Sequence, residues 1–523
     1  MKVSEAFFDL AYNLKVNRVY GNPGTTEIPL LKSLNEKKIM YILALHDGLS
    51  VGMAEGDYYY SKKAQIVNLH TVLGLGNSIS FLFSALKNKV PMIVTIGQQD
   101  RRHSYYEPLL YGPNEEIVKP VVKEVLCPFV AEDVPKMLMR AHKVANTYPY
   151  GPVALILPMD MMDEECGKIE KIETNEFIFG DYEEMVNEIA EEINSSNNVA
   201  IVVGHEIEIF DAENELVEFS KKLRAPIYKE PLCSRGVIDN SNELFVGELL
   251  PASLMINQAL ANYDLILLIG GNFTLYPYFP FELLKDKKII ELSYDYKETT
   301  KNNWKVYICN VKNVLKKLCD LVIPKNFKRD EIKEIKLFSK AATVRNQMGI
   351  EYVFYRISKF IKDETIFDES ISATMTLKDY LPIKPKKYFA ARTGHLGWAM
   401  PVATAYGIVG GDAIAIIGDG SFNYSSQSLW SAKRYNANTS FIILDNRGYG
   451  ILKSYSLARY PELLESDWLS PETNAEKIAN SYGIEAKSVT TPEELDNSIS
   501  WVLNNKEPRL LRIEIDRSIP KLF

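Results

Sequence analysis

With 523 residues the chain is too long for a single hydrophobic core and long enough for three α/β domains of ordinary size. Its apolar fraction of 46% and charged fraction of 24% are those of a globular protein, which excludes a disordered, fibrous or membrane-embedded one. The 68 acidic residues against 60 basic ones leave a net charge of −8, which argues against nucleic acid or an anionic membrane surface as partner and leaves small-molecule chemistry.

Met1 to Val19 mixes charged and apolar residues at helical spacing, without the apolar stretch and small-residue cleavage site of a signal peptide. No apolar run approaches the roughly eighteen residues that cross a bilayer, so the expectation is a soluble, cytoplasmic protein. Cys127, Cys166, Cys233, Cys309 and Cys319 are odd in number and never form a CxxC pair, which points to free buried thiols.

From the N-terminus, short apolar strands alternate with amphipathic helices. Val16 to Tyr20, Ile39 to Leu45, Gln65 to Leu69, Met92 to Ile96 and Val153 to Leu157 read as strands of a parallel sheet covered on both faces. An acidic linker, Asp160 to Gly180, follows. A second unit has strands at Asn198 to Val203, Leu265 to Ile269 and Lys288 to Leu292, and ends near Pro324. After the charged connector Lys325 to Lys340, a third unit carries strands at Thr365 to Phe367, Ala413 to Ile417, Thr439 to Leu444 and Leu510 to Ile515. The prediction is three doubly wound parallel-sheet α/β domains spanning 1–165, 180–325 and 345–523.

The most informative stretch joins two of these strands. One runs into Gly418, Asp419 and Gly420; the next runs into Asp445, Asn446, Arg447 and Gly448. Both turns therefore fall at carboxyl ends of parallel strands, where open α/β sheets bind ligands. Asn446 follows Asp419 by 27 residues, which suits a strand, helix and strand excursion that returns beside its start. The Asp419 carboxylate, the Asn446 amide oxygen and the Gly448 carbonyl are hard oxygen donors, able to share an octahedral Mg2+ with two phosphate oxygens and a water. Alone, each turn is an ordinary tight turn. At this separation the pair matches the thiamine diphosphate signature GDG…N.

At this point the chain resembles the thiamine diphosphate-dependent family of 2-oxo acid decarboxylases and acetolactate synthases, most of all its benzoylformate decarboxylase branch. The resemblance covers nearly the whole chain. It is carried by GNPGTTEIP (Gly21 to Pro29), YILAL (Tyr41 to Leu45), NLHTVLGLGNS (Asn68 to Ser78), IVTIGQQ (Ile93 to Gln99), GHLGWAMP (Gly394 to Pro401) and GDGSFNYS (Gly418 to Ser425). It implies a pyrimidine-binding domain, a central Rossmann-like domain and a diphosphate-binding domain. It also implies a thiamine diphosphate and Mg2+ cofactor pair, with Ca2+ as an alternative ion, and a homodimer at minimum with a homotetramer as the usual assembly. By the same resemblance Asp419, Asn446 and Gly448 are the metal ligands, and Gly418, Gly420, Ser421, Tyr449, Gly394 and Ser372 surround the diphosphate. Leu396 takes the place of the bulky residue beneath the thiazolium, and Thr25 and His70 match a substrate-site serine and histidine.

Two positions depart from the pattern. Asp47 stands where the family has the glutamate that hydrogen-bonds the aminopyrimidine; the shorter carboxylate is kept as the activating acid, since proton relays of this kind contribute about 10²–10⁴-fold. Glu55, the next acid, is expected on a helix surface. Pro277, which cannot transfer a proton, replaces a second active-site histidine, and His46 and His395 are the candidates to act in its stead or to be core histidines. Ile451 and Tyr455, after the second turn, shape the acyl pocket, and a change of one methylene there alters discrimination by about 1–3 kcal/mol.

The resemblance implies non-oxidative decarboxylation of a 2-oxo acid to an aldehyde. Acyloin-forming carboligation is the rival within enzymes, and a cofactor-binding protein with lost or weak catalysis is the rival outside them. The central unit has no G-x-G-x-x-G, only Gly204 and the Gly270-Gly271 pair, so no FAD is expected.

Overall fold

The structure, a computed structural model, describes residues 1–34, 38–167, 183–276, 278–301, 303–325 and 348–522. Pro277, most of the linker expected at 160–180 and most of the connector expected at 325–340 lie outside the described residues. The chain divides into two compact units: Met1–Asn175, Arg345–Met375 and Ala391–Phe523 form the first, Glu176–Val344 and Thr376–Ala390 the second.

All the sheets are parallel and flanked by helices. In the first unit, β1 (Arg18–Gly21), β2 (Met40–Leu43), β3 (Gln65–Leu69), β4 (Met92–Gln98), β5 (Val125–Leu126) and β6 (Pro152–Pro158) stand in the order β2-β1-β3-β4-β6-β5. In the second unit, β7 (Val199–Val203), β8 (Ile227–Lys229), β9 (Phe245–Glu248), β10 (Leu265–Ile269), β11 (Lys288–Ser293) and β12 (Lys305–Ile308) stand in the order β12-β11-β10-β7-β8-β9. The short β14 (Tyr388–Ala390) also belongs to that unit, where Phe389 bridges Arg235. The remaining strands of the first unit are β13 (Thr365–Glu369), β15 (Ala413–Gly418), β16 (Thr439–Asp445), β17 (Glu485–Val489) and β18 (Arg509–Glu514), ordered β13-β15-β16-β18-β17.

The central strands are buried along their whole length, because helices on both faces leave no side for water. In β7 the alternate residues Val199, Ile201 and Val203 join one apolar core while Ala200 and Val202 join the other. Such strands read as largely apolar runs: β10 is apolar throughout and β3 carries only Gln65 and Asn68 among apolar residues, and both are expected with their observed limits. β5, β8, β9, β12, β14 and β17 are not among the expected strands; they are two to five residues long and lie toward sheet edges or carry charge.

The helix Asp47–Ser61 shows how one domain of the first unit meets another. Gly52 and Gly56 face the helix Ala399–Ile408; a Cβ on Gly56 would come 2.0 Å from the Val402 carbonyl oxygen, so only glycine lets the two backbones approach. Glu55 corrects an expectation. It is 1% exposed, accepting hydrogen bonds from the Tyr59 hydroxyl and the Asn88 amide, both at 2.7 Å. Its burial follows from helices packing on both sides of the one it belongs to, which periodicity along one segment does not reveal.

Four of the cysteines are free and buried, and Cys127 is free and half-buried. Among the described residues no helix is long and apolar enough to cross a membrane.

Candidate functional site

Two clusters of candidate residues form at carboxyl ends of strands in the first unit. The larger lies over β13, β15 and β16, where Ser372, Leu396, Gly418, Asp419, Gly420, Ser421, Asn446, Gly448, Tyr449 and Ile451 line one cavity. The two turns converge on a single amide: Gly448 N donates to Asp419 Oδ2 and to Asn446 Oδ1, each at 3.1 Å. A carboxylate and an amide oxygen are thereby brought within one ion's reach. Gly450, which the sequence reading did not single out, completes the cradle, since a Cβ there would stand 2.8 Å from Ser372 Oγ and 3.0 Å from Asn446 Nδ2.

Burial, reinforced by neighbouring Asp445, raises the Asp419 carboxyl to about 7. A divalent cation would relieve that crowding. Among the described residues no three His, Cys, Asp or Glu side chains gather as metal ligands. A set of one carboxylate, one amide and one carbonyl would need further oxygens from a ligand, and its all-oxygen chemistry fits a hard divalent cation such as Mg2+ or Ca2+.

A buried acid holds this cavity in shape. Glu369, at the end of β13, accepts hydrogen bonds from Gly397 N, from Ala399 N at 2.6 Å and from the Ser421 hydroxyl. It thus ties the turn bearing Leu396 to the turn bearing Asp419. Burial pushes its carboxyl up to about 8, against the lowering by those donors. Ile371, between two cavity-lining serines, has φ of 52°. A β-branched residue in the left-handed region costs about 1–3 kcal/mol and persists where the surroundings over-determine it.

The smaller cluster sits between β1 and β3, where the strand order reverses direction and α/β sheets open a crevice. His70 follows β3 and Asp47 opens the helix after β2; Asp47 Oδ1 accepts from His70 N at 3.3 Å. Thr25 is exposed, beside Gly24. The His70 ring lies against Gly24, where a Cβ would come 2.1 Å from Cε1. Thr71, directly after His70, is the second β-branched residue at positive φ beside a candidate site residue, with φ of 50°. Glu27, which the sequence reading did not single out, is buried here and meets His70 Nδ1 at 2.8 Å. The available signal was an acid two residues past Thr25 inside a recognised string.

The other candidates stand apart from these contacts. His46 caps the helix Asp47–Ser61, its Nδ1 accepting from Gly48 N at 3.2 Å. His395 packs edge-on against Phe81 with ring centroids 4.3 Å apart, and burial lowers its pKa to about 4, which leaves it neutral near pH 7. Gly394 has φ of 66° and faces open space. Tyr455 is 40% exposed and leans on Tyr460.

Three family models match the chain. They describe thiamine pyrophosphate enzymes: the N-terminal TPP binding domain at residues 1–117, the central domain at 186–318 and the C-terminal TPP binding domain at 372–513. The chain is 29% identical to a benzoylformate decarboxylase of Pseudomonas aeruginosa over 98% of both chains. It is 23% identical to a probable acetolactate synthase large subunit of Methanocaldococcus jannaschii, over 99% of this chain and 92% of that one. Among solved structures it resembles a thiamine diphosphate-dependent 4-hydroxybenzoylformate decarboxylase of Rhodococcus jostii, with a TM-score of 0.91 and 27% identity over 99% of this chain and 100% of that one. A benzoylformate decarboxylase of Polynucleobacter necessarius gives the same TM-score and identity over the full length of both chains.

Proposed function

The chain belongs to the thiamine pyrophosphate enzymes, and from that premise we propose that it decarboxylates a 2-oxo acid to an aldehyde without oxidation, using thiamine diphosphate held through Mg2+. The observation that carries the metal is the convergence of Asp419 and Asn446 on one backbone amide. In this reading Asp419, Asn446 and the Gly448 carbonyl hold the ion; Gly418, Gly420, Ser421, Ser372, Gly394 and Tyr449 surround the diphosphate. Leu396, which lines the same cavity, would pack against the bound cofactor. When bound, thiamine diphosphate supplies the nucleophilic carbon and the electron sink.

The chain's own residues manage orientation and protons. Thr25 and His70 face the substrate, His70 giving or taking a proton at Nε2. Asp47 supplies the acid next to the aminopyrimidine, and Ile451 and Tyr455 bound the acyl group. Two protomers are proposed as the minimal enzyme and a tetramer as the assembly, with domains at 1–165, 180–325 and 345–523 and a cytoplasmic location.

Carbon dioxide release from a panel of 2-oxo acids, with and without added cofactor and Mg2+, tests the reading. Turnover is expected only with both, and no turnover of any 2-oxo acid defeats it. The likeness to acetolactate synthases supports a second reading, carboligation, which acyloin rather than free aldehyde among the products would establish. Exchanging Asp47→Glu separates a re-tuned site from a degenerate one: activity should fall, whereas a silent wild type that gains activity favours lost catalysis.

A further inference from the structure

A histidine that moves a proton at Nε2 works well only if its other nitrogen is fixed, since a ring free to turn or change tautomer spends time with the wrong atom presented. The fixing group lies in the turn after β1. The Glu27 side chain is 1% exposed and that of His70 is 23% exposed, so the pair runs from the interior to the crevice. Glu27 Oε2 accepts from Gly24 N at 2.9 Å and faces His70 Nδ1 at 2.8 Å. Glu27 Oε1 is buried with no hydrogen-bond partner among the described residues, and a Cβ on Gly97 would come 1.9 Å from it.

The ring is clamped as well as bonded. Gly24 covers its Cε1, and Asp47 holds the His70 backbone amide. The phenol of Tyr41 also feels the Glu27 and Asp47 charges. Burial raises the Glu27 carboxyl, while Gly24 and His70 act to keep it ionised. An acid so enclosed and so short of partners is costly unless the imidazole answers it.

We propose that Glu27 is the positioning residue of His70: its carboxylate accepts Nδ1–H, holds the neutral ring in that tautomer, and leaves Nε2 as the atom that exchanges a proton with the substrate. A proton taken at Nε2 makes an imidazolium whose charge faces Glu27, and its return restores the neutral ring. The inference rests on the proposed role of His70, but the geometry of the pair is independent of which 2-oxo acid is used.

The test uses the full-length protein with thiamine diphosphate and Mg2+. Glu27→Gln should lower kcat about a hundred-fold with KM within about two-fold. Glu27→Asp should recover part of that loss. In a His70→Ala background the same Glu27→Gln change should alter kcat by less than about two-fold, because a residue acting only through His70 has nothing left to position. Ring 15N spectra, assigned with His70→Ala, should show protonated Nδ1 in the wild type and an altered pattern in Glu27→Gln. An equal loss in both backgrounds, or an unchanged ring pattern, overturns the proposal. If the wild type turns over no 2-oxo acid, the functional reading fails while the ring signal still decides the role of Glu27. Should Glu27→Gln not fold, Glu27→Asp carries the same spectral comparison.

Discussion

The regions over β13, β15 and β16 and over β7 and β10 both lie at carboxyl ends of parallel strands, yet the first lines a cavity while in the second the acids are engaged by the chain's own donors. Over β15 and β16 the oxygens of Asp419 and Asn446 share a single amide and face a cavity. Over β7 and β10 two buried acids consume the local donors. Glu206 accepts from Ser293 Oγ at 2.8 Å, Tyr294 N at 3.0 Å and Asp295 N at 3.2 Å. Glu230 accepts from Asn272 N at 2.7 Å and His205 N at 3.2 Å. Gly204 and Gly271 close the space between them, a Cβ on Gly204 coming 2.3 Å from the Gly271 Cα. Sheet topology therefore offers a crevice, and the number of donors that the chain itself supplies to the acids at its mouth differs between the two.

The largest effect should come from emptying the cavity over β15 and β16 of its charge. Asp419→Asn is expected to cut kcat/KM about 10³-fold and to abolish retention of thiamine diphosphate in equilibrium dialysis with Mg2+. Chelation should mimic it in the wild type, and added Mg2+ or Ca2+ should restore activity. A variant that keeps both cofactor and rate would break the comparison.

Next in size is the region over β7 and β10. Glu206→Ala removes the acceptor that the Ser293 hydroxyl and the Tyr294 amide share, while Asp295 N still meets Ser293 Oγ at 3.0 Å, and should cost about 3 kcal/mol in denaturant unfolding. If stability instead holds and the variant binds inorganic phosphate, the carboxylate is a stand-in for an anion.

A smaller change concerns the wall of the cavity. Ile451→Ala should shift kcat/KM toward bulkier aromatic 2-oxo acids about ten-fold, read from competing substrates. No change in preference would remove Ile451 from the acyl pocket.

A separate effect is on pH dependence. Glu369 has a folded pKa of about 8, above its ordinary 4.5, so the native state binds the extra proton between these values. Stability should therefore fall as pH rises from about 4.5 to about 8 and then level. Glu369→Gln should flatten that slope in thermal unfolding series; an unchanged slope would assign it to other groups.

The strands and the Asp419 and Asn446 turns were legible for a physical reason. Buried strands such as Leu265–Ile269 are rich in apolar residues, and each of the two turns carries its oxygen donor next to a glycine at the end of such a strand. Residues that act through side-chain partners far along the chain left no such mark. Glu27 and His70 are 43 residues apart, and Glu206 and Asp295 are 89 apart. Glu55 read as a surface acid because its partner Asn88 comes from another helix boundary.

The sequence by itself determined three parallel-sheet domains, the family and the Asp419 and Asn446 turns, because each is written in local runs of apolar residues, glycines and oxygen donors. Only the tertiary structure decided which acids are buried, which nitrogen of His70 is engaged, and which strand ends line a cavity. Those depend on the balance between desolvation and hydrogen bonding at points where distant segments meet, and that balance exists only once the chain has folded.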